Sequence, residues 1–475
     1  MKTLDRLISS LENFQVQGKT TVEVLSLVDY SKKVDEGSLF VAISGTRFDA
    51  HSFIPEAIKK GAVAVVGEKA FDKKLGNITY VRVKNSRKAL ALLASSWYEN
   101  PSNKLKVIGV TGTDGKTTTS NLIYWIIKTS GRKVGIISTL GAKIDGSIID
   151  TGLHVTNPEP IALQGFLSQM VAKKCEFAVM EVTSHGLDQD RVGGVSFYIS
   201  VLINISHEHL DYHKTFENYV KTKAKLFNLS QIAVLNQKDS SFNLIKKFIN
   251  SDKEIILYPQ EKTDISIERA IEDRFPEPYN RLNALAAATV ARRLRINNDA
   301  ITRAIRSFPQ LSGRLEKIKN DKDLEIIVDF AHTPNALENV LMTLNKRKKG
   351  RLIVVFGCAG GRDMQKRPMM AKISTQIADI SVFTAEDPRH ESIEEILNQM
   401  VEGVKKGANA YFELPQRGEA IFYAIQKLAR KGDTVVICGK GHEKSMAYGA
   451  KEYPWSDQEA VREALKGKVK RIAIQ

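Results

Sequence analysis

The segment VIGVTGTDGKTTTSNLIYWIIK, residues 107–128, decides the fold of this 475-residue chain. Apolar and β-branched residues run up to Gly112, a short polar turn follows, and from Lys116 the pattern changes to that of a helix. A strand, a glycine-containing turn and a helix in this order predict one unit of an α/β sheet. A sheet of this class needs further units of the same kind along the chain.

The turn has the composition of a phosphate-binding loop. Gly112 and Gly115 permit a close approach of the backbone, and the amide groups that begin the helix attract an anion. Lys116 would contact the outer phosphates of a nucleotide, and the hydroxyl of Thr117 would ligate Mg²⁺. The usual spacing of this motif requires glycine at position 110, where the chain has Val110. The sequence thus predicts a shortened nucleotide-binding loop, with a plain strand-to-helix turn as the alternative.

Apolar strand-like runs alternate with helical segments along almost the whole chain, which is typical of α/β domains with mostly parallel sheets. Further strands are predicted at AVAVV (62–66), FAVMEV (177–182), LEIIVDF (324–330), RLIVVFG (351–357) and DTVVICG (433–439). Turn-forming clusters at ENPSNK (99–104) and FPQLSGR (308–314) divide these runs into three groups. We therefore predict three domains, 1–103, 104–311 and 312–475, each long enough to bury its own core.

The composition excludes several classes of protein. Hydrophobic residues make up 43% of the chain, an ordinary globular share, so wholesale disorder is not expected. No apolar run approaches the roughly 18 residues of a membrane span, and no signal-peptide pattern is present, so we expect a cytoplasmic protein without membrane insertion. The three cysteines show no C-x-x-C spacing, which argues against both a disulfide framework and a thiolate metal site.

The net charge of +16 is the feature most easily misinterpreted. Basic runs such as KTKAK (221–225) and NKRKKGR (345–351) lack the interleaved aromatic residues of a nucleic-acid platform. Such runs usually form solvated helix faces. We therefore predict no nucleic-acid partner.

Two polar segments follow apolar runs in the middle of the chain. Glu181 stands near the carboxyl end of a predicted strand, where open α/β sheets bind ligands, and its carboxylate is suited to hold Mg²⁺. The segment 203–227 has five polar residues crowded before a helix, from His207 to His213. The zinc-protease spacing H-E-x-x-H would need histidine where Asp211 stands, so that class is excluded. From the residues alone, this cluster is either a polar loop or a metal or phosphate site.

Ten motifs in this order resemble those of the Mur ligases, ATP-dependent enzymes that extend the peptide of the peptidoglycan precursor. They are TGTDGKTTT (111–119), MEVTSHGLDQDR (180–191), NISHEHLDYH (204–213), YVKTKAKLF (219–227), YNRLNALAA (279–287), GRLE (313–316), VDFAHTP (328–334), GCAGGRDMQKRPMM (357–370), EDPRHE (386–391) and GKGHE (439–443). The resemblance implies an N-terminal domain that binds a UDP-linked precursor, a central ATP-binding domain built on a P-loop-type, mostly parallel sheet, and a C-terminal Rossmann-like domain that binds an amino acid.

The motifs of the last domain resemble those of the family members that add the third residue, a diamino acid, to UDP-N-acetylmuramoyl-L-alanyl-D-glutamate. The resemblance implies that ATP, with Mg²⁺, phosphorylates the free carboxylate of this precursor, and that the amine of the diamino acid attacks the acyl phosphate. It implies catalytic roles for Lys116, Glu181, His209 and Lys223. Of these, Glu181 and His209 would hold Mg²⁺ together with Thr117 and with Lys223 as a carbamate. A solvated lysine on a helix is the alternative for Lys223.

The resemblance also implies three groups of binding residues. The ATP group comprises Gly112, Thr113, Asp114, Gly115, Lys116, Thr117, Thr118, Asn280, Asn283, Arg314 and Asp329. The UDP-precursor group comprises Ser31, Thr156, Asn157, Ser184, His185 and Arg191. The amino-acid group comprises Arg362, Glu386, Asp387, Arg389, Gly439 and Glu443. A helix N-cap is the alternative for Asn280.

The identity of the diamino acid depends on two residues that favour different substrates. Arg389 matches the arginine that binds the distal carboxylate of meso-diaminopimelate in the family. Asp387 replaces an asparagine, and its charge would favour the ammonium of L-lysine. A salt bridge between these two residues could also withdraw Arg389 from the substrate. We expect meso-diaminopimelate, with L-lysine as the alternative. Two further departures from the family, Glu277 and Gln416, have no assigned consequence.

Two other functions remain as alternatives, and the expected state of the protein is a monomer. A related ligase of the folylpolyglutamate or cyanophycin type would share the phosphate loop but would differ in the first domain, where this chain resembles the precursor-binding type from about Ser31. A nucleotide-binding scaffold without catalysis would most easily arise by loss of a catalytic residue. All four, Lys116, Glu181, His209 and Lys223, are present.

Overall fold

Three large sheets follow one another along the chain in the computed structural model, which describes residues 2–45, 49–70, 76, 78–149, 151, 156–260 and 263–473. Each sheet lies within one of the three segments proposed from the sequence. All six apolar runs quoted above contain a strand of one of these sheets, which confirms the predicted α/β class. Within the described residues, no helix combines the length and the apolar character needed to cross a membrane.

The first domain contains a five-stranded sheet with the order β2-β7-β6-β5-β4 and a separate pair formed by β1 and β3. Its strands are β1 (Lys2–Thr3), β2 (Gln15–Gln17), β3 (Glu23–Val24), β4 (Ser26–Val28), β5 (Ser38–Val41), β6 (Ala64–Gly67) and β7 (Thr79–Arg82). Its helices are α1 (Leu4–Ile8), α2 (Ile54–Lys59) and α3 (Ser86–Trp97). Strands β4 to β7 are parallel, and β2 is an antiparallel edge strand.

The middle domain contains an eight-stranded sheet with the order β11-β10-β9-β12-β8-β13-β14-β15. Its strands are β8 (Lys106–Thr111), β9 (Val134–Ser138), β10 (Gly141–Ile144), β11 (Ser147–Ile149), β12 (Phe177–Glu181), β13 (Phe197–Leu202), β14 (Ser230–Asn236) and β15 (Glu254–Tyr258). Its helices are α4 (Lys116–Thr129), α5 (Pro160–Ala172), α6 (Ser184–Asp188), α7 (Leu210–His213), α8 (Phe216–Asn228), α9 (Phe242–Lys246), α10 (Ile265–Arg274), α11 (Pro278–Arg293) and α12 (Asn298–Arg306). The six strands from β9 to β15 in the sheet order are parallel.

The third domain contains a six-stranded sheet with the order β16-β17-β21-β18-β19-β20, in which all but the edge strand β16 are parallel. Its strands, with the hairpin of β22 and β23, are β16 (Glu316–Ile318), β17 (Glu325–Asp329), β18 (Leu352–Phe356), β19 (Ile380–Phe383), β20 (Ala410–Glu413), β21 (Thr434–Cys438), β22 (Ser445–Tyr448) and β23 (Lys451–Pro454). Its helices are α13 (Pro334–Arg347), α14 (Lys366–Ile377), α15 (Ile393–Val401), α16 (Arg417–Tyr423) and α17 (Asp457–Leu465).

The central strands of the middle sheet are apolar on both faces because helices cover both sides. In β8, Val107 packs in a cluster with Leu163 and Leu167 of α5, whereas Ile108 packs in a cluster with Leu122 of α4. Burial on both faces is the reason why these strands are continuous apolar runs without alternation. The strand ends are therefore where polar groups can enter the sheet, and the predicted phosphate loop, residues 112–117, lies at one of these ends.

A fully buried ion pair in the third domain joins the start of α16 to the start of α17. Both nitrogens Nε and Nη2 of Arg417 donate to the carboxylate of Asp457, at 2.8 and 2.7 Å, and neither side chain is exposed. Arg417 also donates to the carbonyls of Ala385 and Cys438. Asp457 thus provides the carboxylate partner of Arg417. The residue that precedes this arginine, Gln416, is uncharged.

We expect Asp457→Asn to destabilise the protein by about 3 kcal/mol, because it leaves a buried guanidinium without its countercharge. Urea unfolding followed by circular dichroism measures the loss. Asp323→Asn is the matched control, because it removes the charge of an exposed pair with Lys431, and it should change stability little. Equal stability of the Asp457→Asn variant and the wild type would contradict a stabilising role of this pair.

Candidate active site

The phosphate loop is supported by a residue that the sequence analysis did not select. The side-chain oxygen of Asn204 accepts hydrogen bonds from the backbone N–H groups of Asp114 (2.9 Å) and Thr113 (3.2 Å), and its amide nitrogen donates to the carbonyl of Asp114 (3.1 Å). Asn204 follows β13, which is the parallel neighbour of β8. Its place directly after a strand and inside a quoted motif was the signal that could have identified it.

Gly115 makes the sharp turn from the loop into α4. It has a φ of +82°, in the left-handed region that favours glycine. A Cβ atom at this position would lie 2.5 Å from the side-chain oxygen of Asn283, so glycine also permits the close approach of α11. Thr117 and Thr118 lie in the first turn of α4, and the hydroxyl of Thr117 contacts Glu181.

Two lysines converge on one carbonyl of the loop. The Nζ atoms of Lys116 and Lys223 lie 3.0 and 2.9 Å from the oxygen of Gly112. Lys223 is 1% exposed, so its interpretation as a solvated lysine is wrong. Burial, and then the neighbouring charge of Lys116, lower the pKa of Lys223 well below its usual range, although Asp114 opposes this shift. The structure therefore favours a neutral amine at Lys223.

Glu181 lies beneath the loop and is fully buried. Its carboxylate accepts hydrogen bonds from the hydroxyl of Thr117 at 3.1 Å and from the hydroxyl of Thr139 at 2.9 Å. The backbone N–H of Thr139 donates to the other carboxylate oxygen at 3.0 Å. The sequence analysis did not select Thr139, which lies in the loop between β9 and β10.

The donors at this point fit a magnesium ion that is shared with phosphate groups. Mg²⁺ is usually bound by one or two carboxylates together with substrate phosphates and water, and a carboxylate and a hydroxyl 3.1 Å apart match that preference. In the part of the chain that the structure describes, no three His, Cys, Asp or Glu side chains form a preformed metal cage. A metal here would therefore depend on ligands from the substrate.

The predicted second metal ligand, His209, lies in a cluster of rings close to Lys223. The ring centroids of His209 and His185 are 4.8 Å apart. Burial lowers the pKa of His209 well below its usual range, and the charges of His185 and Lys223 act in the same direction. Burial likewise lowers the pKa of His185 to about 4, with the charge of His213 as the next contribution. Both imidazoles are therefore neutral near pH 7, which is the form that can ligate a metal.

The two predicted adenine-side asparagines lie at the start of α11, next to the loop. Asn280 donates to the carboxylate of Glu277 at 3.1 Å, and Asn283 donates to the side-chain oxygen of Asn280 at 3.2 Å. The N-cap position of α11 is occupied by Glu277, so the N-cap interpretation of Asn280 is wrong. Glu277, which had no assigned consequence, orients this chain of amides.

Arg314 brings the third domain to the phosphate loop. Its Nη2 donates to the hydroxyl of Thr117 at 3.0 Å, and its guanidinium lies 4.5 Å from the ring centroid of Phe330. The carboxylate of Asp329 accepts the backbone N–H groups of Leu315 (2.7 Å) and Ala331 (2.8 Å), so it orders the segment that carries Arg314. Arg314 thus reaches the predicted ATP site directly, whereas Asp329 is engaged with its own domain.

Two of the predicted precursor-binding residues of the middle domain, Asn157 and Arg191, are linked by a hydrogen bond. The side chain of Asn157 donates to the carbonyl of Glu181 and accepts from the backbone and hydroxyl of Thr183. Arg191 donates to the carbonyl of Asn157 at 3.0 Å and pairs with Glu159. The side chain of Asn157 therefore supports the end of β12 in this structure.

The remaining three residues of this group occupy different positions. The hydroxyl of Thr156 lies 3.2 Å from that of Thr139, which connects it to the surroundings of Glu181. Ser184 is buried at the start of α6. Ser31 lies in the first domain, where Lys60 donates to its carbonyl at 3.2 Å.

The predicted amino-acid pocket is built around Lys440, which the sequence analysis did not select. Its buried ammonium lies 2.8 Å from the carboxylate of Asp387 and also pairs with Glu443. Arg389 donates to the carbonyl of Gly360 at 2.6 Å. The suggested salt bridge between Asp387 and Arg389 is therefore wrong, because Lys440 provides the countercharge of Asp387.

Two other members of the amino-acid group border this pocket. A Cβ atom at Gly439 would lie 2.1 Å from a carboxylate oxygen of Glu386, so glycine is required for their contact. Burial raises the pKa of Glu386 to about 8, against the opposing charges of Lys366 and Arg417. Arg362 is exposed at the start of the segment that leads to α14.

Comparison with protein families gives three matches along the chain. Residues 30–98 match the Mur ligase family, catalytic domain, residues 110–287 match the Mur ligase middle domain, and residues 313–441 match the Mur ligase, glutamate ligase domain.

Curated relatives match over nearly the full length. The UDP-N-acetylmuramoyl-L-alanyl-D-glutamate--2,6-diaminopimelate ligase 1 of Clostridium acetobutylicum is 37% identical over 98% of this chain and 99% of its own. The UDP-N-acetylmuramoyl-L-alanyl-D-glutamate--2,6-diaminopimelate ligase of Parabacteroides distasonis is 37% identical over 96% of this chain and 98% of its own.

Solved structures show the same fold. A UDP-N-acetylmuramoyl-L-alanyl-D-glutamate--2,6-diaminopimelate ligase has a TM-score of 0.64 at 28% identity and covers 98% of this chain and 99% of its own. The folylpolyglutamate synthase of Mycobacterium tuberculosis has a TM-score of 0.59 at 16% identity, but it covers 73% of this chain and 91% of its own.

The raised pKa of Glu386 predicts a pH dependence of stability. Between about pH 4.5 and pH 8, the carboxyl is ionised in the unfolded chain but protonated in the folded protein, so the free energy of unfolding falls as the pH rises. Glu386→Gln cannot ionise, and its stability should fall less steeply, by up to about 1.4 kcal/mol per pH unit. Urea unfolding at a series of pH values measures both slopes. Glu413→Gln, at an exposed glutamate of the same domain, is the control. Equal slopes for wild type and Glu386→Gln would contradict a protonated Glu386.

Proposed function

This chain belongs to the Mur ligase family and is an ATP-dependent ligase, and from this premise we propose that it joins meso-diaminopimelate to UDP-N-acetylmuramoyl-L-alanyl-D-glutamate. The observation that carries the proposal is the arrangement beneath the phosphate loop. The Thr117 hydroxyl and the Glu181 carboxylate lie 3.1 Å apart there, and Lys223 of α8 contacts the carbonyl of Gly112 in the same loop. Curated relatives that are named for this reaction match the chain over almost its whole length.

The proposed reaction is a phosphoryl transfer followed by an acyl transfer. The free carboxylate of the precursor attacks the terminal phosphorus of ATP, ADP leaves, and the resulting acyl phosphate is attacked by the amine, which releases phosphate. Such a reaction depends mainly on positioning and on neutralisation of phosphate charge. Lys116, which donates to the carbonyl of Thr113, and Arg314, which donates to the hydroxyl of Thr117, supply positive charge at the loop. When bound by Thr117 and Glu181, Mg²⁺ would neutralise further phosphate oxygens.

A neutral Lys223 supports its proposed modification. An unprotonated amine can add to carbon dioxide, which forms a nitrogen–carbon bond and releases one proton, and the product is an anionic carbamate. The lysine is buried beside Lys116, so a negative group is electrostatically favoured there over a second ammonium. The carbamate would provide a further oxygen ligand to a metal held with His209.

The pocket of the third domain supports a substrate with a distal carboxylate. Lys440 provides a countercharge for Asp387, which weakens the charge argument for L-lysine. Arg362 and Arg389 carry like charges that act on each other, so an anion bound near both guanidinium groups would be stabilised by both. Glu443 provides a carboxylate near the same pocket for the ammonium of the amino acid.

The alternative functions receive less support. The folylpolyglutamate synthase of known structure leaves about a quarter of this chain uncovered, whereas the family matches include residues 30–98 of the first domain. A scaffold without catalysis would not need a buried carboxylate and a neutral lysine beside a phosphate loop. All three cysteines are unpaired, which supports a reducing compartment, and we include cytoplasmic localisation and a monomeric state in the proposal.

The substrate assignment predicts the outcome of a direct assay. With the UDP-linked dipeptide, ATP and Mg²⁺, the protein should release phosphate and form the tripeptide product, and kcat/KM should be at least about tenfold higher for meso-diaminopimelate than for L-lysine. Phosphate release and product mass are measured in parallel, with Lys116→Ala as the inactive control. Higher activity with L-lysine would reject the amino-acid assignment, and no activity with any diamino acid would reject this ligase reaction.

The carbamate assignment predicts that Lys223→Ala abolishes turnover without loss of folding, and that a small carboxylate such as formate restores part of the activity because it can replace the missing oxygen ligand. Carbon-13-labelled bicarbonate should give a carbamate signal in the wild type that is absent from this variant. Lys225→Ala is the matched control, because this lysine is exposed on the same helix. Full activity of Lys223→Ala would refute the role.

A further inference from the structure

The phosphate loop contains a carboxylate whose partners lie in another domain. One oxygen of Asp114 accepts a hydrogen bond from the hydroxyl of Thr333 at 3.0 Å, and the other accepts one from the side-chain amide of Asn335 at 2.8 Å. These donors are more than 200 residues away in the sequence, at the start of α13 in the third domain. The contact thus crosses the boundary over which the nucleotide site is assembled.

A carboxylate at this position adds negative charge to a loop whose backbone is arranged to hold phosphates. The side chain of Asn204 contacts both the N–H and the carbonyl of Asp114, so it fixes the backbone of this residue. The carboxylate itself makes its two hydrogen bonds with the third domain. The backbone of Asp114 is therefore fixed within the middle domain, whereas its side chain is hydrogen-bonded to the third domain.

Both donors also make hydrogen bonds within the third domain that orient them. Thr333 is the N-cap residue of α13, and its hydroxyl accepts the N–H of Ala336 at 3.1 Å, which directs its own proton away from the helix. The amide of Asn339 donates to the backbone and side-chain oxygens of Asn335, which leaves the Asn335 amide nitrogen directed to Asp114. The positive end of the 14-residue helix adds to the attraction for the carboxylate.

We propose that Asp114 is a positioning residue that couples the phosphate loop to closure of the third domain over the bound nucleotide; the identity of this nucleotide rests on the proposed function. When the third domain is docked, two hydrogen bonds and a helix N-terminus stabilise the charge of Asp114. When this domain moves away, the charge remains beside the phosphates without these partners. The contact therefore favours the closed arrangement, in which Arg314 also reaches Thr117.

An exchange of the two side chains tests this coupling. Asn335→Asp places two carboxylates at hydrogen-bond distance, which should open the domains and lower kcat/KM for ATP by about tenfold, within the range of coupling between contacting residues. The double variant Asp114→Asn, Asn335→Asp restores one amide and one carboxylate at this contact. It should regain most of the activity and of the closed population.

The position of the domains is measured independently of ligase activity. Spin labels at Lys247→Cys and Lys319→Cys, both exposed, report the distance between the middle and third domains in a Cys175→Ser background, with and without a non-hydrolysable ATP analogue and Mg²⁺. We expect longer distances for Asn335→Asp and wild-type distances for the double variant. Because the readout does not require turnover, it tests the contact even if the substrate assignment fails.

Two controls separate the contact from general effects. Asn345→Asp adds the same charge to an exposed position of the same helix and should change neither distance nor activity. Asn335→Asp itself should keep the melting temperature, because aspartate is favourable in the first turn of a helix. A closed and fully active Asn335→Asp variant, or a double variant no better than Asn335→Asp alone, would overturn the proposal.

Discussion

The parallel pairing of β12 with β8 is the constraint on which the candidate active site depends. This register places Glu181 opposite Val110, so both strands end at the same edge of the sheet. The phosphate loop continues from β8, and the first turn of α4 then carries Thr117 to within 3.1 Å of the Glu181 carboxylate. A shift of one residue would turn the carboxylate to the other face of the sheet, where apolar side chains of α5 are packed.

At this edge of the sheet, charged groups of the middle domain and of the third domain lie close to one another. Two lysines share the carbonyl of Gly112, and the carboxylate of Glu181 and the guanidinium of Arg314 approach Thr117 from opposite domains. Burial makes each unpaired charge costly, so the site favours neutral forms where no partner is present. This is the physical reason why the pKa of Lys223 is depressed.

The third domain contributes more than the amino-acid pocket. Lys440 holds the carboxylates of Asp387 and Glu443 within one domain, whereas Thr333 and Asn335 reach across to Asp114 in another. A buried pair between Glu208 and Lys366, 3.3 Å apart, crosses the same boundary. The third domain therefore contacts the middle domain at the phosphate loop and also at Glu208, which suits a reaction whose two steps use groups from both domains.

The sequence by itself determined the α/β class and the six strands quoted from it, and it predicted the phosphate loop, because these depend on local periodicity and on residues adjacent in the chain. It also selected Lys116, Thr117 and Glu181 as candidate site residues, since the first two follow a predicted strand and its glycine turn and the third lies near the end of another predicted strand. Only the tertiary structure decided the partners of Asp114 and Asp387, the burial of Lys223 and the support of the loop by Asn204. Hydrogen bonds and ion pairs between residues far apart in the chain depend on how domains and sheets pack, and no local pattern records that geometry.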